Sequence, residues 1–189
     1  TPLPIGLDYH TLHTHVRHPW GPQSTPSAQE TQLLDLWRHS VPTKQRVLKC
    51  YANFTLCAAA FAQDRVAALT QIPPHLMHVE LARVPRLECW RRQVQYAFVV
   101  SPHGNGLDCH RTWEALCLGC IPVVKRSGLS DSGLYESLPV LVVEEWSDVT
   151  DVLLRSALTQ FAAVSAPLPK LTFEYWRDRM LRAAAVATE

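Results

Sequence analysis

The sequence predicts a single α/β domain in which a parallel, Rossmann-like sheet is covered by helices on both faces. Short apolar runs alternate with helical patterns from residue 46 onwards, and three of these runs (FVV, IPVV and VLVV) are continuously apolar. Strands of a parallel sheet give such runs because both of their faces are buried. The length of 189 residues suits one domain, and a hydrophobic content of 47% excludes disorder as the main state.

The overall charge argues against a polyanionic partner. The chain has 18 Lys and Arg against 17 Asp and Glu, a net charge of +1. This balance gives no field for gathering nucleic acid or an anionic membrane surface, so we expect no nucleic-acid partner. The uncharged stretch between Lys49 and Asp64 is shorter and more polar than a membrane span. The compartment stays open between the cytoplasm and, for a piece of a longer anchored protein, the Golgi lumen.

Residues 1–45 are predicted to form an irregular segment that contains one helix. Prolines at positions 2, 4, 19, 22 and 26 disfavour helix before them. A helix is predicted over residues 27–39, capped by Ser27 with Glu30 completing a capping box, and stopped by Pro42. The PIGL run at residues 4–7 is a candidate for a short first strand.

The remainder alternates strands with helices, as a doubly wound sheet requires. Gly119 suits the left-handed position that ends one of the helices. The predicted strands span residues 46–54, 78–84, 96–102, 121–126 and 138–146. The predicted helices span residues 56–69, 87–94, 110–118, 148–164 and 171–186.

Histidine and cysteine patterns do not predict a metal centre. His10, His13, His15 and His18 lack helical spacing and nearby cysteines, so we expect solvated loop histidines rather than a zinc site. The six cysteines lie mostly in apolar runs, which favours buried free thiols over disulfides. No bound cofactor is therefore expected.

The distribution of glycine indicates where the chain is expected to bind a ligand. Five of the seven glycines fall between residues 104 and 133, where the backbone must need unusual shape or close approach. The loop of residues 103–108 follows the strand of residues 96–102, and ligands of parallel sheets bind beyond such carboxyl ends. Its amides and the next helix N-terminus can cradle a phosphate. The predicted binding residues of this loop are Gly104, Asn105, Gly106 and Asp108.

Two charged residues of the following helix complete the predicted site. Arg111 lies in the first turn, where a cation is disfavoured by the helix dipole and needs an anion such as a diphosphate. Glu114 shares its helix face, and a carboxylate accepts hydrogen bonds from the vicinal hydroxyls of ribose. The alternative is an ordinary surface ion pair between the two. The glycine loop and the strand–helix–strand setting favour a nucleotide-sugar site.

The segment SPHGNGLDCHRTWEALCLGCIPVV, followed by LYESLPVLVVEEW, resembles the donor-binding half of exostosin-type glycosyltransferases. The shared pattern is a small loop, an arginine, Glu-Ala-Leu and then Gly-Cys-Ile-Pro-Val, over residues 98–146. The resemblance implies the GT-B fold, a UDP- or GDP-linked sugar donor, a carbohydrate acceptor and no catalytic metal. It makes Arg111 a diphosphate contact and Glu114 a ribose contact.

The chain departs from that family in length. GT-B enzymes have two Rossmann-like lobes, whereas only one lobe fits here, so the sequence predicts either a donor lobe or a protein that works without a conventional acceptor domain. If the whole site is present, Asp8 and His10 lie at the end of the PIGL run and are the candidates for the catalytic base. His103 is a candidate for general acid help at the leaving group.

Two further residues are weaker candidates for the donor site. Lys125 ends a predicted strand and is either a supporting phosphate contact or an ordinary exposed terminus. The loop of residues 127–135 is expected to cover the nucleotide, and Tyr135 at its end is expected to stack on the base. The expected function is a glycosyltransferase or its donor-binding domain. The alternatives are a non-catalytic nucleotide-sugar-binding module and a flavodoxin-like signalling domain, which the lack of aspartates at strand ends disfavours.

Overall fold

The computed structural model describes residues 2–56, 60–161 and 168–186. Its strands are β1 Arg17–His18, β2 Gly21–Pro22, β3 Val47–Ala52, β4 Met77–Val79, β5 Tyr96–Val100, β6 Ile121–Lys125 and β7 Leu141–Val143. Its helices are α1 His10–Thr14, α2 Pro26–His39, α3 Ala62–Gln71, α4 Arg86–Gln93, α5 His110–Cys117, α6 Gly128–Asp131, α7 Asp151–Phe161 and α8 Phe173–Val186. Short 3₁₀ turns lie at Thr43–Gln45, Pro74–Leu76, Trp146–Asp148 and Pro169–Leu171.

Five parallel strands form the central sheet in the order β4-β3-β5-β6-β7. Counted along the chain this is the order 2-1-3-4-5, one of the two common doubly wound arrangements. The strand order reverses at β3: β4 is added on one side of β3, and β5 pairs with the other side, with Cys50 opposite Phe98. A crevice therefore opens between the loops that follow these two strands.

Helices cover both faces of the sheet, which confirms the predicted Rossmann-like class. One face packs against α3 and α7, whose Ala68, Leu154 and Ala157 join the strand residues in one buried cluster. The other face packs against α2, α4 and α5, which supply Leu33, Trp90 and Ala115, respectively. Burial on both sides explains why residues 97–100 of β5 and 121–124 of β6 are apolar without interruption.

The elements near the sheet centre were predicted best. Helix α5 ends one residue before the predicted bound, and Gly119 adopts the expected left-handed conformation with φ +71°. The outer strands β4 and β7 are shorter than predicted, three residues each. The predicted helix of residues 56–69 begins only at Ala62, and residues 57–59 lie outside the described part of the chain.

The N-terminal predictions were wrong in detail. Helix α2 begins at Pro26 and Thr25 is its cap, accepting a hydrogen bond from the Ala28 amide at 3.2 Å, because proline suits the first helical position. The PIGL run forms no strand in the described structure. Instead its backbone binds the start of α5: the Ile5 amide donates to Asp108 Oδ2 at 2.7 Å, and Gly6 O lies 2.8 Å from His110 Nδ1.

Cysteine burial follows the sequence expectation where the structure describes it. Cys50, Cys89 and Cys120 are buried free thiols, while Cys109 and Cys117 are half-buried. Cys57 lies outside the described residues. No helix in the described ranges is both long and apolar enough to span a membrane.

Candidate functional site

A cleft of about 810 Å³ lies at the carboxyl edge of the sheet, beside the crevice between β3 and β5. Its walls include residues 53–56 after β3, residues 79–84 after β4 and the glycine loop after β5. Helix α5 adds Arg111 and Glu114, and the N-terminal part adds Ile5 and Trp20. The volume and the position are those of a small-molecule site in a doubly wound fold.

Gly104 permits a close approach in this loop. A Cβ atom there would lie 3.0 Å from Cys109 Sγ and 3.2 Å from Arg65 Nη2, so a side chain would displace both. Gly104, Asn105 and Gly106 all line the cleft, as predicted. Gly106, however, has open space around it and no positive φ, so its lack of a side chain is not required by the backbone.

The loop amides are less available to a phosphate than the sequence suggested. The amide of His103 donates to Asp64 Oδ2 at 2.9 Å, that of Gly104 to Gly106 O at 3.0 Å, and that of Cys109 to Asp108 Oδ1 at 2.9 Å. A ligand in the cleft therefore depends more on side-chain cations than on a full ring of backbone donors.

The first turn of α3 holds the glycine loop in place. Asp64 accepts from the His103 amide and from Trp146 Nε1 at 2.7 Å. The next residue, Arg65, donates from Nε to His103 O at 3.1 Å and from Nη1 to Thr55 O at 2.7 Å. These bonds place the guanidinium of Arg65, in addition to that of Arg111, beside the glycine loop that lines the cleft.

Arg111 has an incompletely satisfied guanidinium group. Its Nε donates to Asn53 Oδ1 at 3.0 Å, but Nη1 is sealed from solvent and has no hydrogen-bond partner among the described residues. Burial lowers the pKa of Arg111 from its ordinary value, and the like charge of Arg65 lowers it further, opposed by Cys109 and Glu114. The group stays protonated in any case, so it is a cation short of an acceptor.

Glu114 lines the same wall one helical turn after Arg111. Its carboxylate forms a long ion pair with Arg86, 3.8 Å between Oε1 and Nε, and its side chain is 13% exposed. Arg86 in turn donates to the Asp8 carbonyl oxygen and to Gln29 Oε1 at 2.9 Å. The Glu114 oxygen atoms thus keep capacity for ligand hydroxyl groups, whereas Arg86 is fully engaged.

Asp108 lines the cleft but is not a free ligand group, which corrects the expectation. Its carboxylate accepts hydrogen bonds from the Ile5 amide, the Cys109 amide and the indole nitrogen of Trp113 at 2.9 Å. Burial raises its pKa, and these hydrogen bonds oppose the rise. Asp108 therefore anchors the N-terminal segment to the start of α5.

Neither Asp8 nor His10 faces the cleft, so the expected base is not found there. Asp8 accepts from the Thr11 amide at 2.9 Å and the Thr11 hydroxyl at 2.6 Å, and it pairs with Arg86 at 3.4 Å. Burial acts to raise the pKa of Asp8, but the bonds from Thr11 and the charge of Arg86 hold it below its usual value. His10 is exposed at the start of α1.

His103 belongs to the glycine loop, yet it packs outside the cleft. Its Nδ1 lies 3.2 Å from Asp64 Oδ2, and its ring meets Phe61 with 5.4 Å between centroids. Burial lowers its pKa, Asp64 acts to raise it and Lys125 lowers it again. A buried imidazole held by Asp64 supports the loop rather than meeting a leaving group.

The two weaker donor-site candidates also lie elsewhere. Lys125 donates to Glu145 Oε2 at 2.7 Å, outside the cleft, which is the ordinary strand-end role. Tyr135 is buried with Leu116, Trp113 and Trp176, its ring centroid 6.2 Å from that of Trp113. A buried ring cannot cover a nucleotide, because its apolar surface is already used in the core.

Sequence reasoning missed several residues of the cleft wall, among them the polar and aromatic residues Trp20, Asn53, Arg65 and Arg86. Asn53 follows the first strand of the sheet and Arg65 lies in the first turn of the next helix. Both flank the switch point, so the strand order would have drawn attention to them. Trp20 and Arg86 carry no such signal, because only tertiary contacts bring them to the cleft.

Within residues 2–56, 60–161 and 168–186, no cluster of three or more His, Cys, Asp and Glu side chains is arranged to hold a metal ion. The comparisons with known proteins give no relative: no family model matches the sequence, and no curated protein matches it. The candidate function therefore depends on the geometry of the cleft and on the residues that line it.

Proposed function

We propose that this chain binds a nucleoside diphosphate sugar in the cleft and serves as the donor-binding lobe of a glycosyltransferase. The observation that carries the proposal is the guanidinium of Arg111, which lines the cleft and has a buried Nη1 without a partner among the described residues. A buried charged donor without an acceptor costs free energy, so an anion that supplies the acceptor binds with a corresponding gain.

A diphosphate fits the charges at this end of the cleft. Arg65 and Arg111 both line the cleft beside the glycine loop, and the charge of Arg65 lowers the pKa of Arg111. A diphosphate carries enough negative charge to relieve the repulsion between two guanidinium groups, and guanidinium groups form charge-assisted hydrogen bonds with phosphate oxygens. Asn105 and Gly106, exposed on the loop, leave room for the ligand.

Glu114 is proposed to bind the ribose. It lies one turn beyond Arg111 on α5, and its partial exposure leaves oxygen atoms for the vicinal hydroxyls. Arg86 holds the carboxylate in position without capturing it in a short bidentate contact, since the ion pair spans 3.8 Å.

In the proposed reaction the bond between the sugar anomeric carbon and the diphosphate oxygen breaks while a bond to an acceptor hydroxyl forms. The electron pair of the broken bond leaves with the nucleoside diphosphate, and the hydroxyl proton passes to a base. Arg65 and Arg111 stabilise the charge that develops on the leaving group, a role that arginines can fill in place of a metal ion. This chemistry accords with the resemblance to exostosin-type glycosyltransferases, in which the acceptor is a carbohydrate.

A second function, a nucleotide-sugar-binding module without transfer, is favoured by one observation. None of the three candidates for proton transfer, Asp8, His10 and His103, belongs to the described lining of the cleft. The base must then come from another part of the protein or from a partner lobe, or the module binds without catalysing transfer.

Calorimetry with inorganic pyrophosphate, UDP, GDP and their sugars tests the binding step. We expect binding that EDTA does not reduce, and a loss of about 10- to 100-fold in Arg111→Met because one charged hydrogen-bond set disappears. The control is Arg126→Met, whose guanidinium lies at the end of β6 and pairs with Asp131 and Glu144. Equal pyrophosphate affinity in wild type and Arg111→Met contradicts the site.

An assay of donor hydrolysis and of transfer to oligosaccharide acceptors separates the two functions. Turnover that disappears in Arg111→Met but persists in Arg126→Met supports a transferase. Donor binding without turnover by this chain, across the UDP- and GDP-linked sugars, contradicts a self-sufficient transferase and fits a lobe or module that only binds the donor.

A further inference from the structure

Trp20 occupies a defined place on the cleft wall. It lies in the turn between β1 and β2, and its carbonyl oxygen accepts from the Arg86 amide at 2.7 Å. The Arg86 guanidinium carbon lies 4.5 Å from the centroid of the indole ring. The His18 ring also packs on the indole edge-to-face, 5.0 Å between centroids, so the half-buried ring is held by two neighbours while it lines the cleft.

The polar groups of this wall follow one another in a fixed order. Arg111 precedes Glu114 by one helical turn, Glu114 Oε1 lies 3.8 Å from Arg86 Nε, and Arg86 stacks on Trp20. A ligand lying along the wall thus meets the cation Arg111, then the carboxylate of Glu114, then the aromatic ring of Trp20.

A nucleoside diphosphate has the same order of chemical groups. Its diphosphate is anionic, its ribose presents hydroxyl donors, and its base is a planar ring. Bases stack on aromatic side chains with little dependence on sequence, because every base has a π-face. Val79 and Val84 line the same cleft and provide apolar surface for the edge of such a ring.

We propose that Trp20 is the stacking platform for the nucleobase and gives the cleft its preference for a nucleotide over a simple diphosphate. The inference rests on the proposed function, because it takes the diphosphate to lie at Arg111. Trp20 is thus a binding residue that comes from the N-terminal hairpin rather than from the sheet loops, and it adds affinity only for ligands that carry a base.

The test compares a ligand with a base against one without. Affinities for UDP, GDP and inorganic pyrophosphate are measured by calorimetry for wild type, Trp20→Leu, Trp20→Phe and the control Trp37→Leu. Trp37 is a half-buried tryptophan of α2 that packs near Gly119, away from the cleft. We expect Trp20→Leu to reduce the ratio of nucleotide to pyrophosphate affinity by about 5- to 100-fold, with Trp20→Phe retaining most of it.

Each outcome decides between the two proposals. An unchanged pyrophosphate affinity in Trp20→Leu together with the reduced ratio supports the stacking role, because a collapsed cleft would lose pyrophosphate as well. A ratio in Trp20→Leu equal to that of wild type, or a wild type that binds pyrophosphate as tightly as the nucleotides, overturns the role of Trp20 and leaves the diphosphate site standing. A wild type that binds none of these ligands overturns both proposals.

Discussion

Arg86 and Arg111 line the same cleft, yet their surroundings differ. Arg86 is 5% exposed in its side chain and has acceptors on several sides: the Asp8 carbonyl, Gln29, and the carboxylates of Asp8 and Glu114. Its guanidinium also lies between the rings of Trp20 and Trp90, at 4.5 and 5.6 Å from their centroids. Arg111 has the single bond to Asn53 and an Nη1 with no partner in the described structure.

The contrast separates a cation whose hydrogen bonds are supplied within the fold from one that has a donor without a partner among the described residues. Both residues are arginines on the wall of the cleft, so neither residue type nor position distinguishes their roles. The number of hydrogen-bond acceptors around each guanidinium distinguishes the two roles, because a buried donor that is already satisfied gains little from a ligand. Experiments that remove a cation, or give it a new partner, can break or sharpen this distinction.

The largest effect is expected for Arg86→Ala. Removing the guanidinium leaves the carboxylate of Asp8 and that of Glu114 without their cation, and loss of one partner from a buried pair costs about 3–5 kcal/mol. Urea denaturation measures the change in the free energy of unfolding. Arg91→Ala on the same helix is the control, since its side chain is 57% exposed and reaches Glu88 only at 4.0 Å. A comparable loss in both variants would show that Arg86 is not the structural cation of the pair.

A smaller effect is expected for Asn53→Asp, which gives Arg111 a permanent anionic partner. The carboxylate in place of the amide oxygen, now 3.0 Å from Arg111 Nε, would make Arg111 resemble Arg86. Pyrophosphate affinity should fall about tenfold because the charge is already compensated. Asn53→Ala removes the acceptor without adding charge and should keep most of the affinity. Calorimetry that gives the same affinity for Asn53→Asp as for wild type argues against the diphosphate contact.

The smallest of the three effects concerns Asp8, the carboxylate partner of Arg86. Because the pKa of Asp8 is lowered in the folded state, its contribution to stability is present above the unfolded pKa and is lost as the pH falls through the folded one. Asp8→Asn should cost about 1–2 kcal/mol near pH 7, and the difference from wild type should shrink as the pH falls below the ordinary Asp pKa of about 3.9 and through the lowered pKa of the folded state. Unfolding at a series of pH values measures it, with the exposed Asp35→Asn as control. A difference that does not change with pH would mean that the charge of Asp8 is irrelevant.

The sheet centre could be predicted from sequence because its signals are local. The runs that became β5 and β6 are apolar on every residue that faces a helix layer, and Gly119 marks the end of α5 by its own backbone requirement. The position of Arg111, Glu114 and Gly104 at the cleft followed from one rule, that ligands meet parallel sheets at the carboxyl edge.

The remaining site residues could not be predicted, because contacts distant in sequence decide which way each side chain points. His103 turns to Asp64, which is 39 residues earlier, and Asp8 turns to Arg86, which is 78 residues later. Tyr135 enters the core because Trp113 and Trp176 form a pocket for it. Trp20 and Arg86 are 66 residues apart in sequence but in contact at the cleft wall, and residue spacing does not predict that contact.

The attachment of Ile5 and Gly6 to the start of α5 gives the cleft an intrinsic reporter. The amide of Ile5 is bonded to Asp108, so it exchanges its hydrogen with solvent only when that corner of the wall opens. Any molecule that tightens the helix terminus must slow this exchange, whatever its chemical nature. A single amide near the beginning of the chain therefore records whether the cleft is filled.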